Sequence, residues 1–226
     1  MKCTNKKYTF LCVLLTAVIL SGCGNLSYDM AYHVDYDVSS FNVVSRQDAR
    51  TASPFAAALC VAAGDVAGDE APDMSQVEAA ALFGLDRKEV LYARNIHERL
   101  HPASLTKVLT ALVAMENGQL GQTLTATDAV NITESGAVLC GLKRGDTMTL
   151  DQALRILLVY SANDAAMLIA ENIGGSVEHF VEMMNEKAHE LGATNSHFTN
   201  PHGLTDSDHY TTAYDLYLIF NAAVQY

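Results

Sequence analysis

The spacing of hydrophobic and polar positions divides the chain into strands first and helices afterwards. Phe55 to Val61 is an apolar run that suits a strand or a short buried segment, and Gly64 to Pro72 has the Gly/Asp/Pro content of a loop. Ala79–Gly84 and Val90–Ala93 are predicted to pair as a hairpin across the polar turn Asp86-Arg87-Lys88-Glu89. Val90-Leu91-Tyr92 carries the β-branched and aromatic side chains that fit a pleated surface. The period then lengthens. Pro102 suits a first helical turn, and the pattern predicts a helix to about Asn117, closed by Gly118. Thr149-Leu150-Asp151-Gln152 matches a capping box and opens an apolar helix through Tyr160. Asp164 to Ile173 predicts a second buried helix, stopped by Gly174-Gly175. Ser176 is placed to cap an amphipathic helix ending at Leu191 and Gly192. Thr211 or Thr212 starts a last helix containing Tyr214 to Val224. Strands followed by a helical block predict an α+β fold, an α/β sandwich whose remaining strands come from elsewhere.

The N-terminus breaks this pattern. Lys2, Lys6 and Lys7 precede an apolar run from Phe10 to Leu20, too short to span a bilayer comfortably. Leu20-Ser21-Gly22-Cys23 resembles a bacterial lipobox, which implies a signal peptide over 1–22 and a lipid on Cys23. The other reading is a plain signal peptide cleaved near Gly22, with Cys23 incidental. Residues 23–53 are polar and aperiodic, as a flexible spacer would be, which leaves 54–226 as the domain.

Charge narrows the partners. The formal net charge is −12, and residues 1–22 hold three lysines and no acid, so the rest carries −15 (11 basic against 26 acidic residues). So acidic a body argues against nucleic acid as a partner and against a basic membrane-binding face. With Cys3 and Cys12 assigned to the leader and Cys23 to the lipid, Cys60 and Cys140 remain, and two buried free thiols are the expectation. No Cys/His cluster has zinc spacing, and His197/His202 has no further ligand nearby, so neither metal nor cofactor is expected.

Ser104-Leu105-Thr106-Lys107 is the first chemical candidate. On a helix, positions three apart share a face, with Cβ atoms about 5–6 Å apart, so the lysine amine can reach the serine hydroxyl. A helix N-terminus favours negative charge on Ser104. Val108 to Met115 holds no charged residue, and Leu105, Val108, Leu109, Leu112 and Val113 form a broad apolar stripe backed by Ala111 and Ala114. A helix apolar on most sides is buried. A lysine buried there loses hydration, its pKa falls, and its neutral form can take a proton from serine. The four residues alone equally fit an N-cap serine and a snorkelling lysine. Ser161-Ala162-Asn163 is the second candidate, three small or polar residues between the apolar runs Leu154–Tyr160 and Ala165–Ala170. Either Asn163 or Asp164 simply caps the next helix, or the loop brings Ser161 and Asn163 to the cleft of Ser104.

Pro102 to Lys107 followed by Ser161-Ala162-Asn163 resembles the penicillin-binding protein and serine β-lactamase superfamily. Within it the chain is most similar to the D-alanyl-D-alanine carboxypeptidases of peptidase family S11. Val90-Leu91-Tyr92, Leu142–Thr147, Asn200-Pro201-His202-Gly203-Leu204 and His209–Leu216 carry that similarity, over roughly residues 79–226. The resemblance implies a nucleophile at Ser104, a general base at Lys107, a proton relay at Ser161 and a substrate contact at Asn163. It implies a peptidoglycan stem peptide as substrate, acylation by β-lactams, and work outside the membrane.

One element of the pattern is missing. No Lys-Thr-Gly follows Asn163, and only 63 residues follow it. The expectation is a fragment of a longer product, with an incomplete sheet and little activity by itself. The remaining readings are a non-catalytic wall-associated lipoprotein and a β-lactamase. Against the latter, position 162 is Ala, and Glu134 does not lie where a deacylating glutamate would.

Overall fold

The structure is a computed structural model that describes residues 56, 59–67 and 73–226. The leader, Cys23, the spacer and Phe55, Ala57 and Ala58 of the Phe55–Val61 run lie outside the described residues. Of that last run, Cys60 is buried without being in a strand, and its N–H donates to Tyr217 Oη at 2.8 Å. Val61 is exposed.

Strands β1 (Ala80–Gly84) and β2 (Glu89–Arg94) form the predicted antiparallel hairpin. Its register shifts between Leu82 and Phe83, which face Tyr92 and Val90, so Leu91 is the extra residue of a bulge. A second antiparallel pair, β3 (Thr123–Thr125) with β4 (Thr147–Thr149), has no counterpart in the sequence reading. Each strand is three residues long, too short for alternation to show. The described strands thus form two small antiparallel sheets.

Helix α1 (Thr106–Asn117) runs through the middle of the helical block and packs against α3 (Asn163–Gly174), α4 (Val177–Glu190) and α5 (Ala213–Ala223). Leu109, Ala111, Leu112, Val113 and Ala114 are buried, but Leu105 is 48% exposed and stands outside the expected stripe. The core continues through Leu168 and Ile169 of α3, Phe180 and Met184 of α4 and Ile219 of α5, all sealed from solvent. The caps fall where the hydroxyl residues predicted them. Ser176 Oγ accepts the His179 N–H at 3.1 Å, and Thr212 Oγ1 accepts the Asp215 N–H at 3.0 Å. Both bonds of the Thr149/Gln152 capping box are present.

Two boundaries differ from the sequence pattern, and both lie at the site. The helix expected from Pro102 begins as a 3-10 turn, Ala103–Leu105, with Ala103 at φ 48°. The helix expected through Tyr160 is α2 (Leu150–Arg155) followed by a five-residue π turn, Ile156–Tyr160. That wider turn leaves Leu158, Val159 and Tyr160 exposed and puts Ser161 in the left-handed region at φ 62°. π turns and left-handed non-glycine residues cost energy and concentrate at functional sites.

Candidate active site

Ser104 sits in the 3-10 turn and Lys107 in the first turn of α1, so the tighter turn, not an α-helical face, sets their approach. Lys107 Nζ lies 3.0 Å from Ser104 Oγ and donates to the His202 carbonyl oxygen at 2.7 Å. Lys107 is only 2% exposed, and burial lowers its pKa to about 8. The sequence-based expectation of a desolvated lysine therefore holds. Its cause is wider than the helix, because the loop carrying His202 closes over the amine.

Ser104, Lys107 and Ser161 share the wall of a cavity of about 560 Å³, otherwise apolar through Leu105, Val108, Leu157, Leu158 and Phe220. Asn163 is not on that wall. It is buried at the start of α3, where its N–H donates to the Val138 carbonyl at 2.7 Å. The next residue, Asp164, is a buried carboxylate that accepts the backbone N–H groups of Cys140, Gly141 and Leu142 at 2.8–3.0 Å. Together these bonds tie the 138–142 loop to the Ser161-Ala162-Asn163 turn. Cys140 is exposed rather than buried as expected, though its thiol faces Asp164 at 3.4 Å. Cys60 and Cys140 are both free.

The 199–209 segment carries family similarity in the sequence but no chemical role by spacing, and it builds the far side of the site. His209 is 1% exposed; its Nδ1 accepts the Thr199 N–H at 3.1 Å, so Nε2 carries the proton and donates to Thr106 Oγ1 at 2.8 Å. This clamps α1 to the loop that supplies the His202 carbonyl. Gly203 closes the same contact. At φ 84°, a Cβ there would overlap the Ala103 carbonyl. Among the described residues, no three His, Cys, Asp or Glu side chains lie close enough to hold a metal, and no helix is long and apolar enough to cross a membrane.

A helical block with a serine–lysine pair at the foot of its central helix and a Ser-x-Asn turn beside it is the fold of the penicillin-binding and DD-peptidase proteins. The family model described as D-alanyl-D-alanine carboxypeptidase, peptidase S11, matches residues 67–226, and the chain belongs to that family. It is 40% identical over 155 residues to the D-alanyl-D-alanine carboxypeptidase DacF of Bacillus subtilis, covering 67% of this chain and 40% of DacF. It is 42% identical over 142 residues to DacB2 of Mycobacterium tuberculosis, covering 62% of this chain and 48% of that protein. Among solved structures, a Mycobacterium tuberculosis D-alanyl-D-alanine carboxypeptidase superposes with a TM-score of 0.61 at 38% identity, over 66% of this chain and 56% of that one. Escherichia coli penicillin-binding protein 6B gives 0.57 at 33% identity, over 60% and 46%. The chain thus spans less than half the length of these curated relatives.

Proposed function

We propose that the protein is a serine-type D-Ala-D-Ala carboxypeptidase that removes the terminal D-alanine from peptidoglycan stem peptides. The observation that carries this reading is the Lys107 amine, buried and 3.0 Å from Ser104 Oγ on the wall of an open cavity. With its pKa lowered to about 8, Lys107 is neutral in a useful fraction of molecules near neutral pH. One of its N–H groups stays on the His202 carbonyl, and its lone pair accepts the Ser104 proton. Ser104 Oγ then bonds to the carbonyl carbon between the two D-alanines. The C–N bond breaks, and Ser161 relays the proton from Lys107 to the departing amine. Water cleaves the ester and restores Ser104. β-Lactams enter the same path and stop at the acyl-enzyme. The family resemblance implies a substrate contact at Asn163, which lies buried two residues after Ser161, its N–H held by the Val138 carbonyl, rather than on the cavity wall.

In this reading the lipid on Cys23 holds the protein at the outer face of the cell membrane, where its substrate is. A β-lactamase would need a carboxylate to direct deacylation. Among the described residues the Ser104 cavity has none on its wall, and Glu134 lines a different recess. The test is release of D-alanine from diacetyl-Lys-D-Ala-D-Ala by the full-length protein. Release by wild type and none by Ser104→Ala supports the proposal; equal release by both contradicts it.

A further inference from the structure

A second recess, polar and of about 350 Å³, is walled by His202 with Glu134, Thr199, Asn200, Thr205 and Asp206. It adjoins the reacting pair through a single residue, since His202 presents its carbonyl to Lys107 and its ring to the recess.

The ring is the informative group. His202 is only 7% exposed, and its Nδ1 accepts the Leu204 backbone N–H at 3.1 Å. A backbone N–H can only donate, so the proton of the neutral ring sits on Nε2. Burial, with Lys107 beside it, lowers the ring to about 4 and keeps it neutral at pH 7. Among the described residues, Nε2 has no hydrogen-bond partner, and the one sealed, unpartnered side-chain polar atom is Glu89 Oε1. His202 Nε2–H therefore opens into the recess as a donor without an acceptor. Because it is open to the recess, this donor is free to meet a carbonyl oxygen there.

The carboxylates define the rest of the ligand. Glu134 and Asp206 are exposed at the recess, and neither pairs with a cation among the described residues. One oxygen of Asp206 accepts the Asp208 N–H at 2.8 Å, which orients the carboxylate and leaves the other free. Two like charges repel a peptide C-terminus, so the leaving D-alanine does not belong here. A complementary group brings an ammonium for the carboxylates and a carbonyl for Nε2–H.

We propose that this recess binds an ammonium-bearing side chain on the acyl side of the peptide substrate. Glu134 and Asp206 hold the ammonium, and His202 Nε2–H donates to a peptide carbonyl. The proposal rests on the carboxypeptidase reading of the Ser104 cavity and adds a specificity site to it.

The experiment measures binding by calorimetry of Nα-acetyl-Lys-D-Ala-D-Ala and of its Nε-acetylated counterpart to the full-length Ser104→Ala protein. Penicillin labelling of wild type is run alongside. The free-amine peptide is expected to bind about fivefold more tightly, as a partly exposed pair of ion contacts allows. That advantage shrinks at high salt and falls to about one in Glu134→Gln/Asp206→Asn. Equal dissociation constants for the two peptides overturn the proposal, as does binding of neither by a protein whose wild type takes the penicillin label. Loss of the label itself overturns the carboxypeptidase reading instead.

Discussion

Lys107 Nζ donates to the carbonyl oxygen of His202, 2.7 Å away and 95 residues later in the chain. The contact fixes the amine beside Ser104 and removes it from water. Its consequence is a pH dependence. Burial lowers Lys107 to about 8, and only the neutral amine accepts a proton. The acylation rate of Ser104 by a β-lactam should therefore rise from pH 6 to 9 with a midpoint near 8. Lys107→Arg, which stays charged, should lose about a thousandfold or more at every pH. Stopped-flow acylation reads both, and a flat profile in wild type would count against Lys107 as the base.

Gly203 and Ala103 meet backbone to backbone, one residue before Ser104. In Gly203→Ala the new Cβ meets the Ala103 carbonyl, and φ 84° adds strain for an L-residue. A loss of about 3 kcal/mol of stability is expected, together with slower acylation. Urea denaturation measures the first; an unchanged midpoint would show that the contact is loose.

Asp164 offers a separate test through Cys140. Desolvation first, and the Asp164 charge second, push the Cys140 thiol up to about 11. Asp164→Asn removes the charge while keeping the shape, so Cys140 should react faster with a disulfide reagent at pH 8. Peptide mapping at Cys140 reads the rate. No acceleration would mean that the carboxylate does not control the loop.

His202 and His209 predict acid sensitivity. Burial lowers both to about 4, from 6.5 in the unfolded chain. The unfolded chain therefore binds protons that the folded one does not. Stability is full above about pH 6.5 and is lost as pH falls toward 4, on the order of 3 kcal/mol per histidine. Denaturation curves between pH 7 and 4 test this, and His209→Gln should flatten part of the slope.

Much of this was legible in the sequence because it is local. Hydroxyl caps at Thr149, Ser176 and Thr212, the β1–β2 hairpin and the charge-free helix around Lys107 all follow from neighbours within a few residues. Ser104, Lys107 and Ser161 were legible as a set through the family resemblance. What escaped was long-range or strained. β3 and β4 are too short to show a period. The 3-10 and π turns at Ser104 and Ser161 are imposed by tertiary packing. The His202 carbonyl, the His209 clamp and the Asp164 loop anchor depend on contacts made across 22 to 103 residues of chain, which no spacing rule reports.

The central claim is that Ser104 is a nucleophile activated by Lys107. It is tested most directly by incubating full-length wild type, Ser104→Ala and Lys107→Arg with a fluorescent penicillin and measuring the covalent adduct by intact mass. The account predicts one adduct on wild type, mapped to Ser104, none on Ser104→Ala and next to none on Lys107→Arg. No adduct on wild type, or an adduct that survives in Ser104→Ala, would contradict it.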